Sequence, residues 1–157
     1  MNISVVSSTM PHVAYLSKCL READLKEIEA LGCKNSHQAL MMGYFTSRPY
    51  CYTAVRDGLP VCMFGVVPED DPKFGRIWFL GSDELTNKKI DPMLLVFLRW
   101  SHDFFPTLVE SYTAVGNIVH SENEVHIKWL KWLGFKFIRK VQAGPYNEIF
   151  IEFAKIV

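Results

Sequence analysis

The run at 123–135, NEVHIKWLKWLGF, constrains the fold of this chain more than any other stretch. Val125, Trp129 and Trp132 recur at helical spacing on one stripe, with His126, Leu130 and Leu133 on the adjoining one. Gly134 supplies the left-handed residue at which helices commonly end. The next four residues, FKFI, have the aromatic content of a strand. A helix over 122–133 that breaks directly into a strand is therefore expected. Asn123 can tie the preceding loop to the helix start. Alternatively Ser121 is the cap, with Glu124 three residues on as its capping-box partner.

At 157 residues the chain has the length of one domain and can bury a sizeable core. Hydrophobic residues make up 49%, with 11 Phe, 6 Tyr and 4 Trp, which predicts a folded globular state. Seventeen basic residues balance seventeen acidic ones, so overall charge does not recommend a nucleic-acid partner. The apolar runs fall far short of the roughly 20 residues that span a bilayer, and no membrane partner is expected. MNISVVSSTMPH lacks a basic segment leading into an apolar one, so no signal peptide is expected. Cys19, Cys33, Cys51 and Cys62 show no C-x-x-C spacing and read as reduced, mostly buried thiols. Trp78, Trp100, Trp129 and Trp132 read as core or interface anchors.

Along the chain, residues 3–7 read as an opening strand. Pro11 suits a first helical turn, with a helix over 12–20; Asp24 can cap a second over 25–31, ended by Gly32, and Ser36 a third to Phe45. Strands at 50–56 and 60–67 flank Asp57-Gly58, a tight hairpin dipeptide. A strand at 75–81, a helix at 91–105 stopped by Pro106, and a strand at 112–119 follow. After the helix at 122–133 come closing strands at 135–142 and 146–155. The order predicts one domain over 1–157: a single mixed, mostly antiparallel α/β sheet with helices on both faces.

The 123–135 run and this element order resemble the GCN5-related N-acetyltransferase (GNAT) fold, whose usual form there is N-x-x-A-x-x-[LF]-Y-x-x-x-G-F. The resemblance implies an acetyl-CoA site in a splay between the strands at 75–81 and 112–119. Leu80, Gly81, Lys88, Lys89, Asn117 and Asn123 are then the candidates for binding the cofactor. It also implies a Q/R-x-x-G-x-G/A loop that brings backbone N–H groups onto a pyrophosphate at a helix start. Residues 82–92, SDELTNKKIDP, contain no glycine, and Asp91 would set a carboxylate where the diphosphate should lie. Lys88 and Lys89 could replace some lost donors as point charges. Leu130 stands where active members often place a tyrosine that protonates the departing thiolate, and leucine has no proton to give. No catalytic residue stands out: Asp83 and Glu84 are the only carboxylates placed to act as a base. His120 and His126 lack further ligands at zinc spacing, so no metal is expected. No nucleophile-elbow context points to a hydrolase.

Histidine at the usual alanine and leucine at the usual tyrosine, with LREADLKEIEALG, Asp57-Gly58-Leu-Pro followed by MFGV, and WFLGSDEL, resemble the internal virion protein family of short-tailed bacteriophages. That resemblance implies a packaged or assembly protein, in the virion interior or host cytoplasm, partnered by other phage virion or assembly proteins and possibly by copies of itself. No cofactor is expected under this reading. The alternative is a divergent acetyl-CoA-dependent N-acyltransferase acting on a phage or host amine.

Overall fold

The computed structural model describes the backbone of residues 3–85 and 92–157 and the side chains of 3–85 and 99–157. Seven strands form one sheet in the order β1-β2-β3-β4-β5-β7-β6. β1 (Ile3–Ser7), β2 (Cys51–Arg56), β3 (Leu59–Pro68) and β4 (Phe74–Gly81) are successive antiparallel neighbours. β5 (Ala114–His120) joins β4 parallel; β7 (Glu148–Ile156) and then β6 (Lys136–Ala143) continue antiparallel. The sheet is mixed and mostly antiparallel, as the element order predicts. The β2–β3 hairpin turns at Asp57 and Gly58, both at positive φ (47° and 86°), the backbone that matches the right-handed twist of paired strands.

Helices cover both faces. On β3 and β4 successive side chains alternate. Met63 and Leu80 pack under α1 (Met10–Leu16), α2 (Glu22–Ala30) and α3 (Ser36–Ser47). Phe64, Val66, Ile77 and Phe79 face the opposite layer, where α4 (Pro92–Val109) and α5 (Glu124–Trp132) lie. On α5 the inward stripe is His126, Leu130 and Leu133; Val125 and Trp132 are exposed.

Several element ends differ from the sequence reading. α1 stops at Leu16 rather than Leu20, because Leu20 is drawn into an antiparallel bridge with Ser82. α2 begins after Arg21, so Asp24 lies inside the helix and does not cap it. Asn35, not Ser36, caps α3, its Oδ1 accepting from the Gln38 N–H at 2.8 Å. α4 does not stop at Pro106 but runs on to Val109. Proline inside a helix costs roughly 3 kcal/mol. Beyond it, burying Val109, 2% exposed, returns about 1.5–3 kcal/mol, and Leu108 packs against the same core, which favours carrying the helix on. The expected start of that helix at Asp91 lies outside the described residues.

Candidate functional site

β4 and β5 pair only at Phe74↔Ala114, Gly75↔Val115 and Arg76↔Gly116. At the next step the Asn117 side chain takes over from the ladder: its Nδ2 donates to the Ile77 carbonyl at 2.7 Å and its Oδ1 accepts from the Ile118 N–H at 2.8 Å. Beyond Asn117 the strands separate. A cavity of about 220 Å³ occupies the gap on the α2–α3 side, lined by Glu27, Met42, Trp78, Phe79, Asn117 and His126 among others. On the opposite side of β4, Trp129 lies against Phe79 (ring centroids 4.8 Å apart) and its Nε1 donates to Ser101 Oγ at 3.2 Å. The cavity there, lined in part by Trp100, Phe104 and Trp129, is only about 20 Å³, room for about one water.

A buried polar cluster closes the wide end of the splay. Arg21 forks onto Asp24, with Nε to Oδ2 at 2.7 Å and Nη2 to Oδ1 at 2.8 Å. Asp24 Oδ2 also accepts the Gly81 N–H at 2.9 Å, and the Gly81 carbonyl accepts the Arg21 N–H at 3.0 Å. One helical turn on, Glu27 Oε1 accepts the His120 N–H at 2.6 Å. Asn123 Nδ2 donates to Asp24 Oδ1 at 3.2 Å and Glu27 Oε2 at 3.3 Å. Its Oδ1 accepts from the His126 N–H at 3.4 Å, which makes Asn123 the cap of α5 and leaves Ser121 out of that role. α2 thus ties together the ends of β4 and β5 and the start of α5. Breaking such a pair by removing one partner typically costs about 3–5 kcal/mol, because the other charge is left buried. One guanidinium and two carboxyl groups thus share the cluster, with His126 beside Glu27. His126 Nδ1 lies 3.7 Å from Glu27 Oε2, beyond hydrogen-bond range, and has no hydrogen-bond partner.

The candidates taken from the sequence scatter around this site. Leu80 is buried and lines the cavity, while both backbone groups of Gly81 are bonded to Arg21 and Asp24. Asn117 holds the splay open and Asn123 belongs to the cluster. Asp83 and Glu84 are exposed in a single 3₁₀ turn, Asp83–Leu85, where Glu84 pairs with Arg56 at 3.4 Å; neither lines the cavity. Lys88 and Lys89, with residues 86–91 of the glycine-free loop, lie outside the described residues. His120 and His126 have separate partners: His120 Nε2 sits 2.9 Å from Glu148 Oε1, and His126 faces Glu27. Burial pushes all four thiols upward, Cys62 furthest, so no cysteine has the depressed value of an activated nucleophile.

Arg21, Glu27 and His126 escaped sequence reading as site residues. The available signal was the three-residue spacing of Arg21, Asp24 and Glu27, which puts three charges on one side of a helix. The same helix must also bury Ile28 and Ala30. Among the described residues no helix is long and apolar enough to cross a membrane.

The profile of the family described as "Bacteriophage T7, probable scaffold protein Gp13" matches residues 70–141, a little under half of the chain. No curated protein sequence matches significantly. Solved structures match over nearly the whole length. The aminoglycoside acetyltransferase AAC(6')-Ib in complex with ribostamycin and coenzyme A aligns at TM-score 0.69 and 14% identity, covering 99% of this chain and 94% of that one. The ribosomal-protein-S18-alanine N-acetyltransferase of Escherichia coli gives 0.66 and 11%, with the same coverages. Ard1 of Thermoplasma volcanium gives 0.67 and 13%, covering 100% and 99%. Identities this low speak for architecture alone, and the architecture agrees over nearly the whole chain: this chain has the GNAT fold.

Proposed function

We propose that this chain is a bacteriophage internal virion or assembly protein that uses the GNAT fold as a binding scaffold, with acetyl transfer degenerate or lost. The observation that carries this reading is the self-bonding of Gly81. The end of β4 is the strand edge expected to pair with a pantetheine arm, and there both backbone groups of Gly81 are already committed to Arg21 and Asp24. A cofactor would have to displace a buried, bidentate ion pair to reach them. Three further facts point the same way. Leu130, at the position expected of a proton-donating tyrosine, is fully buried. Trp129 packs its ring on Phe79 of β4, 4.8 Å between centroids, on the α4–α5 face. Residues 82–92 lack the glycines of a diphosphate loop. The residues present therefore do not fit coenzyme A at this edge. The phage side of the reading rests on the sequence resemblance and on the scaffold-family match over residues 70–141. Its partners would be other virion or assembly proteins, in the virion interior or host cytoplasm.

A second reading, a divergent acetyl-CoA-dependent N-acyltransferase, is favoured by one observation: the splay retains a cavity of about 220 Å³ on its α2–α3 side. Calorimetric titration with acetyl-CoA separates the two. The scaffold reading expects no saturable heat at micromolar ligand. A dissociation constant in the low micromolar range, roughly 7–8 kcal/mol of binding, would overturn it in favour of the enzyme.

A further inference from the structure

We infer that Glu27 and His126 form a binding site for one divalent transition-metal ion at the wall of the splay cavity, with Asp24 supplying charge behind it. α2 presents Asp24 and Glu27 three residues apart on one face, and the first turn of α5 brings His126 to them across 99 residues of sequence. One donor atom from each of the three buried residues lies within 4.8 Å of the other two. The separation of His126 Nδ1 and Glu27 Oε2, 3.7 Å, is too long for a hydrogen bond. It does suit two ligands of one ion: bonds of about 2.0–2.2 Å at tetrahedral to slightly wider angles place donor atoms roughly 3.4–3.7 Å apart. His126 Nδ1 is buried with no hydrogen-bond partner, so its bonding capacity is unmet where it faces Glu27. A cation between them satisfies both groups.

The surrounding bonds assign the roles. Asp24 spends both oxygens on Arg21, Gly81 and Asn123, so it acts through its field rather than through a metal bond. Glu27 holds its Oε1 against the His120 N–H, which fixes the carboxylate and leaves Oε2 as the ligand. Among the described residues the competing contact at Oε2 is the 3.3 Å donation from Asn123, a long bond. Both ligands line the cavity, so the remaining coordination positions open onto it and are available to water or another donor. A nitrogen-plus-carboxylate set selects zinc, cobalt or nickel over magnesium or calcium.

The test is titration of the full-length, chelator-treated protein with Co²⁺, followed by visible absorption and then displacement by Zn²⁺. One ion per chain is expected, unaffected by excess Mg²⁺. His126→Gln and Glu27→Gln should each weaken binding at least tenfold, whereas the exposed-site pair H37Q/H102Q should leave it unchanged. A second measurement needs no variant: in the wild-type protein, Zn²⁺ should shift the Nδ1 resonance of His126 and leave those of His12, His37 and His102 in place. Absence of stoichiometric binding, binding that survives either substitution, or an unmoved His126 resonance overturns the site.

Discussion

Cys62 shows how far one residue's surroundings can alter its chemistry. It sits on β3 between Ala54 of β2 and Gly81 of β4, with no exposure to solvent, and burial pushes its thiol far above the ordinary value. The sign of the consequence follows from linkage. A group whose folded-state value is raised stabilises the fold fully below the unfolded value and loses that contribution as pH climbs past it, because only the unfolded chain ionises. Unfolding free energy should therefore fall above about pH 9, by up to about 1.4 kcal/mol per pH unit from this thiol. Urea unfolding of Cys62→Ala should show a shallower decline than wild type between about pH 9 and 11, with the other three thiols supplying the remainder. Parallel profiles would mean that Cys62 ionises as easily folded as unfolded. At this scale the sequence was legible where a residue acts within its own element. Asn123 at a helix start was among the two caps that could be read there, and the structure makes it the cap. It was opaque where residues act across elements. Nothing local announces that Asp24 reaches Gly81, or that Glu27 reaches His120, since those contacts exist only once the sheet has formed.

Among the elements, periodicity revealed what existed and tertiary contact decided where each ended. Strand runs and the hairpin at Asp57-Gly58 stand close to their expected places because alternation and turn chemistry are local. α4 overran its proline, and α1 stopped short of Leu20, because packing in one case and strand bridging in the other outweighed propensity. The β6–β7 turn shows the same dependence on distant partners. Gly144 has a φ of +74°, and a Cβ built there would run into the carbonyl group of Ala30, at the end of α2. Gly58 has a similar φ, +86°, with nothing within 4 Å of such a Cβ. The two glycines separate backbone strain from contact. Gly58→Ala should cost about 1 kcal/mol, the conformational penalty alone. Gly144→Ala adds a clash with backbone that cannot turn aside, and should cost more than about 2 kcal/mol by denaturant unfolding. Equal losses at the two positions would show that the hairpin does not rest on α2 as described.

For the molecule as a whole, the described residues form one mixed sheet of the GNAT fold, with a β4–β5 splay and a capped last helix. At the end of β4 the Arg21–Asp24 pair bonds both backbone groups of Gly81, and Trp129 packs on Phe79 of the same strand; fold alone does not fix what such a site does. The surface also offers contact area. Met42, Phe45, Tyr50 and Trp132 are each more than half exposed, and aromatic side chains supply large rigid contact area at low entropic cost. Seventeen charges of each sign leave no net repulsion against association. Neither property selects a partner; the match of residues 70–141 to a phage scaffold family does more to favour an assembly role. Mass spectrometry of purified particles from the parent phage should then find the chain in virions or procapsids, at a fixed ratio to the major structural proteins. Particles assembled without it should be fewer or incomplete. A chain abundant in infected cells yet absent from both kinds of particle would defeat the packaged-protein reading and move the weight to an enzyme acting in the host.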